Sequence, residues 1–213
     1  MRFVYGTGNR AKVDYLRKVL QGLNIEIVGL ADGGLEPLEV PECGADPLEN
    51  ARIKARAYFE AYGLPVFSCD SGLFLEGLPD ARQPGINVRT VGGRRLSDEE
   101  MIAHYGALAR ELGGRARARY RNAICLIAGG SLFAHDGEDI ASEPFLLCAE
   151  PHPRRNDGFP LDSLSVEIRS GRYYYDLNQH GHIDTDHSQE DGFRAFFRRV
   201  LVELEAPVAS IRE

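Results

Sequence analysis

The chain has 213 residues, 43% of them apolar and 27% charged, the balance of an ordinary globular protein long enough for one large core or two small lobes. Its 25 basic residues are outnumbered by 32 acidic ones, and the formal net charge of −7 argues against a general binder of nucleic acid or membrane surfaces, both of which need a basic footprint. A small anionic substrate stays open, because it needs only a local basic pocket or a metal.

Residues 2–6 read as a short apolar strand, broken by Gly6-Thr7-Gly8-Asn9. A helix is predicted next, with Val13, Leu16, Val19 and Leu20 on one side and Arg10, Asp14, Arg17 and Lys18 mostly outside. Residues 25–30 form a second predicted strand, which makes a βαβ-type start. Asp46 then fits a helix N-cap, Pro47 the first helical position and Glu49 the partner in a capping box. Leu48, Ala51, Ala55, Tyr58, Phe59 and Tyr62 recur at helical spacing up to Gly63.

Residues 65–68 are a predicted strand leading into Cys69-Asp70-Ser71-Gly72. That tetrapeptide reads as a plain turn, or as the strand end where an α/β protein holds a catalytic carboxylate. Ser97 and Glu100 mark another capping box, opening a helix through Met101, Tyr105, Leu108 and Leu112 to Gly113-Gly114. Residues 115–128 alternate and then turn apolar; residues 145–148 and 164–168 are further strands. A last helix carries Phe193, Phe196, Phe197, Val200, Leu201 and Leu204 on one face. The pattern predicts one mixed α/β domain over residues 1–213, with a long central sheet and two lobes around a cleft. No stretch approaches the ~20 apolar residues of a membrane span. The first residues lack a signal peptide's apolar run, and cysteines 43, 69, 125 and 148 follow no metal spacing, so reduced thiols and a cytoplasmic location are expected.

Three stretches carry possible chemistry. In TGNRAK, residues 7–12, free N–H groups at a helix start, the helix dipole and Lys12 suit a phosphate, although an Asn9 cap with a solvated lysine explains the same residues. In residues 42–55, Glu49 and Lys54 have ready explanations as helix-surface charges, whereas Glu42 has none. Asp70 is the third. Glu42 and Asp70 could share a Mg²⁺ ion if the fold joins them, since magnesium takes one or two carboxylates and completes its shell with water and substrate phosphates.

In combination, TGNRAK, Glu42-x-Gly44 followed by ENARIKA, then DSGL and PGI, in that order, resemble the inosine triphosphate pyrophosphatase family. ARYRNAICLI and the C-terminal helix extend the resemblance over nearly the whole chain. The resemblance implies an elongated mixed central β-sheet flanked by helices, two lobes with a nucleotide cleft, and a homodimer. It implies Mg²⁺-dependent hydrolysis of non-standard purine nucleoside triphosphates of the ITP, dITP and XTP type to the monophosphate and pyrophosphate. Thr7, Asn9 and Lys12 would contact the triphosphate, and Lys12 would offset its charge during catalysis. Glu42 and Asp70 would hold the metal, Asp70 would also accept the proton of the attacking water, and Ser71 would bind substrate beside it.

Several positions depart from the family pattern. Cys69 replaces the first of two successive aspartates, and a thiol is a poor magnesium ligand; packing as a small apolar residue accounts for it better than redox chemistry does. The base-recognition stretch Gly-Phe-Gly-Tyr-Asp-Pro has its counterpart in residues 158–163, where Phe159 and Asp162 remain as a stacking ring and base partner, but Pro160 and Leu161 replace glycine and tyrosine. A late Lys…Ser-His-Arg element retains His187, with Ser188 in the arginine's place and His182 near the lysine's. Arg115, Arg117, Arg119 and Arg121 alternate on one strand face, either supplying charge to the cleft or forming a solvated surface. These departures leave two other readings open: a nucleotide-binding or regulatory protein with little turnover, or a hydrolase of another phosphorylated metabolite.

Overall fold

The structure is a computed structural model describing residues 1–177 and 188–206. Its first strand, β1 (Arg2–Tyr5), leads into α1 (Arg10–Val19), β2 (Glu26–Gly29), α2 (Pro47–Tyr62) and β3 (Val66–Leu75). A small hairpin of β4 (Thr90–Val91) and β5 (Arg94–Arg95) precedes α3 (Asp98–Glu111), and a long strand, β6 (Arg115–Ala128), follows it. The remaining elements are β7 (Ser131–His135), β8 (Phe145–Cys148), β9 (Ser165–Val166), the one-turn α4 (Tyr174–Leu177) and α5 (Ser188–Glu205).

The main sheet runs β2-β1-β3-β6-β8-β9, with β7 beside the second half of β6. Strand β1 is parallel to both β2 and β3, while β3 and β6 pair antiparallel from Val66↔Ile127 to Leu75↔Ala118. The mixed central sheet with flanking helices is therefore the fold expected from the sequence. Strand β6 explains its elongation: fourteen residues rise far enough to serve two cores. Ile124, Leu126 and Ala128 join α1 and α5 in one core, where Phe197 stacks edge-on to Phe67. Ala116 and Ala118 join α3 and Leu147 in the other. On the opposite face, Ala123, Cys125 and Ile127 pack under Ala51 and Ala55 of α2.

Two local expectations are corrected. Cys69-Asp70-Ser71-Gly72 is neither a turn nor a strand end, because it lies within the ten-residue β3. Ser, Asp and Gly are turn formers by local preference, but the adjoining β6 offers a continuous ladder, and that pairing prevails. In α2, the Asp46 side chain caps the Glu49 N–H as expected, but the Glu49 carboxylate returns to the Ala45 N–H, one residue upstream of a true capping box. The Ser97–Glu100 box is complete.

Candidate active site

Strand β1 pairs with β3 only as far as Phe67, and the next neighbour on that edge is a bridge between Leu73 and Gly85. Between them lies a notch at the carboxyl end of β1, where open α/β sheets bind ligands. Asp70 is in this notch. It owes its position to the end of the neighbouring strand, not of its own.

Alternation along β3 turns Asp70 toward α2, opposite Ala123 on β6. The carboxylate is buried, and Lys54 Nζ lies 2.7 Å from its Oδ1. The same ammonium lies 2.6 Å from Glu42 Oε1. Asn50, one helical turn before Lys54, donates to Asp70 Oδ2 at 3.1 Å and accepts the Gly44 N–H at 2.8 Å. A Cβ at position 44 would stand 2.8 Å from Asn50 Oδ1 and 2.9 Å from its backbone nitrogen, so glycine is what lets the Glu42 loop approach α2. Burial pulls the Lys54 pKa down, but Asp70 and Glu42 reverse the effect and leave it above the ordinary value, so the lysine stays an ammonium at neutral pH.

By sequence Lys54 reads as a solvated helix charge; in the structure it is the centre of the cluster. Its signal was present in α2, because Asn50 and Lys54 are four residues apart and border the Ala51–Ala55 stripe that meets the sheet. The donor set fits magnesium: the Glu42 and Asp70 carboxylates converge on one point, held there by the Lys54 ammonium, and water and substrate oxygens would complete a metal's shell. Among the described residues no group of three or more His, Cys, Asp or Glu side chains is placed to hold a metal alone.

Cys69 points to the opposite face, into the core with Phe67 and beside the Tyr5 hydroxyl. Burial pushes its thiol up to about 12, so it stays protonated at neutral pH and serves as packing. Ser71 shares that face, is half-buried, and sits opposite Asn122.

The β1–α1 turn closes the notch. Thr7 Oγ1 accepts the Asn9 N–H, and Asn9 Oδ1 caps the Lys12 N–H. Burial lowers the Lys12 pKa, opposed first by Asp70, so the lysine lies within reach of that carboxylate's charge. Asn9 Nδ2 donates to the Gly158 carbonyl at 3.1 Å, which brings the 158–163 stretch against the turn. Phe159 is half-buried there, and burial raises the Asp162 pKa although Asn156 donates to its carboxylate at 2.9 Å. Leu161, which replaces the family tyrosine, is buried in the α3 core.

The arginine row faces solvent on the α2 side, beyond the helix's cover. Arg117 pairs with Glu76, Arg119 with Glu138, and Arg121 lies 4.6 Å over the Phe74 ring. The ion pairs of Arg117 and Arg119 favour the solvated-face reading for those two, whereas Arg121 also lines a cavity with Ala45, Asp46 and Pro47. Arg89 pairs with Asp98 at 2.6 Å. His180, His182 and His187 lie outside the described residues, and Ser188 opens α5.

A sequence model of the Ham1 family matches residues 3–143, which include Thr7, Asn9, Lys12, Glu42, Lys54 and Asp70. The chain belongs to the Ham1 family. This bears out the resemblance drawn from the motifs. Among relatives of the Ham1 chain, the dITP/XTP pyrophosphatase of Symbiobacterium thermophilum is 34% identical over 176 residues, covering 80% of this chain and 81% of the relative. The dITP/XTP pyrophosphatase of Synechococcus sp. strain CC9311 is 31% identical over 207 residues, covering 95% and 89%. The solved structure of the Staphylococcus aureus Ham1 protein superposes with a TM-score of 0.66 at 20% identity, covering 94% of this chain and all of that one, which supports the fold.

Proposed function

We propose that this Ham1 chain is a Mg²⁺-dependent pyrophosphatase of non-standard purine nucleoside triphosphates, the ITP, dITP or XTP type, releasing a nucleoside monophosphate and pyrophosphate. The observation that carries the reading is the convergence of Glu42 and Asp70 on the Lys54 ammonium, beside Lys12 and the β1–α1 turn. The dITP/XTP pyrophosphatase names of its relatives point to the same chemistry.

In this reading Glu42 and Asp70 hold Mg²⁺, which supplies charge stabilisation on the phosphate oxygens. Lys12 and the N–H groups at the start of α1 bind the triphosphate, assisted by Thr7. Lys54 and Asn50 hold the Asp70 carboxylate in place, and Asp70 takes a proton from the attacking water as the bridge between the α- and β-phosphates breaks. Phe159 stacks on the purine and Asp162 faces its edge; Ser71 and His187 would complete the substrate contacts. Because Leu161 is withdrawn into the core, base recognition rests on Phe159 and Asp162 and differs from the tyrosine-bearing pattern. The working form is a cytoplasmic homodimer, and light scattering should return about twice the 23.6 kDa chain mass.

Pyrophosphate release from ITP, dITP, XTP, GTP and ATP, with Mg²⁺ and with EDTA, tests the reaction. Metal-dependent release favouring the deaminated purines supports it. Nucleotide binding without turnover across the panel would point to a binding protein instead.

A further inference from the structure

The Gly158 peptide is held from both sides. Its carbonyl accepts from Asn9 of the β1–α1 turn, and its N–H donates at 3.2 Å to Asp98 Oδ2, at the first position of α3. The other oxygen, Asp98 Oδ1, accepts from Arg89 at 2.6 Å, and the same guanidinium nitrogen reaches the Leu96 carbonyl at 3.3 Å. Gly158 has φ +82°, and a Cβ there would stand 2.8 Å from Asn9 Oδ1, so any side chain would push the two segments apart. Burial alone would raise the Asp98 pKa, but the Arg89 and Gly158 hydrogen bonds outweigh it and keep the carboxylate charged.

We infer that the Arg89–Asp98 pair is a positioning device for base recognition, fixing the Gly158 peptide, and with it Phe159 and Asp162, against the turn that receives the triphosphate. The inference rests on the nucleotide reading above and extends it to residues that touch no substrate. The Asn9 brace fixes one side of Gly158 and Asp98 the other, so losing Asp98 lets the aromatic ring and carboxylate drift relative to the phosphates. Discrimination between a purine carrying a 6-oxo group and one carrying a 6-amino group then falls, because it depends on well-placed polar partners.

Wild type, Asp98→Ala and Asp98→Asn are compared on ITP and ATP turnover, and on calorimetric binding of the monophosphates IMP and AMP. Asp98→Ala should raise KM for ITP about tenfold while kcat changes less than about twofold, and should cut the preference for ITP over ATP about fivefold or more. Asp98→Asn keeps an oxygen for the Gly158 N–H and should restore most of that preference. Equal losses for ITP and ATP, no change in either, or a wild type that binds IMP and AMP alike would overturn the inference. Arg89→Ala, which removes the partner of Asp98 without touching the Asn9 contact, is expected to cut the ITP preference in the same direction if Asp98→Ala does not fold. A wild type without turnover whose preference for IMP disappears in Asp98→Ala would remove the proposed reaction and keep the positioning role. Active wild type with selectivity indifferent to position 98 would do the reverse.

Discussion

Asp70 is buried and shares its two oxygens between Lys54 and Asn50. Removing Lys54 would strand a charge in a site mostly shielded from water. Lys54→Ala is therefore expected to cost about 3 kcal/mol of stability, measured by urea denaturation, as well as activity. Glu42 provides a contrast, because its side chain is 46% exposed. Glu42→Gln should change stability by less than about 1 kcal/mol. If Glu42 is a ligand, the same variant should raise the Mg²⁺ needed for half-maximal rate by about tenfold or more, since even indirect metal partners are worth that much. Asp162 gives a sign that pH can test. Its folded pKa lies above the unfolded value, so its favourable contribution is present below the unfolded pKa and lost as pH rises through the folded one. At pH 7.5 the carboxylate is thus destabilising, and Asp162→Asn, which keeps an oxygen for Asn156, should raise Tm; an unchanged or lower Tm would contradict this.

Among the elements, α2 carries the site, because its first three turns contribute Asn50 and Lys54 while its Ala51 and Ala55 allow close packing on β3 and β6. Gly44→Ala would drive a methyl into Asn50 and is expected to cost about 1–3 kcal/mol in thermal or urea unfolding, with loss of activity because Glu42 moves. The helices were legible in the sequence since their signals are local: Asn9, Asp46 and Ser97 each cap as their residue types suggest. Strand β3 was not, because its length is set by β6, some fifty residues away. Lys54 was missed for the same kind of reason. A lysine on a helix looks solvated until the strand beneath it is known to present a carboxylate.

For the whole molecule, the sequence order of TGNRAK, Glu42-x-Gly44 and DSGL identified the parts, and the topology explains why they meet. Parallel β1 stops short beside a β3 that continues, and the gap collects residues from the β1–α1 turn, the Glu42 loop and α2. The Gly158 carbonyl, next to Phe159 in a stretch far along the chain, accepts from Asn9 of the β1–α1 turn beside that gap. In the proposed reaction this notch splits a nucleoside triphosphate between its α- and β-phosphates with Asp70 as base. Phosphorus NMR of the products from dITP and Mg²⁺, for wild type and Asp70→Asn, tests it most directly. Wild type should give dIMP and pyrophosphate, and a folded Asp70→Asn should be slower by at least about 100-fold. Orthophosphate as the first product, or an Asp70→Asn variant as fast as wild type, would contradict it.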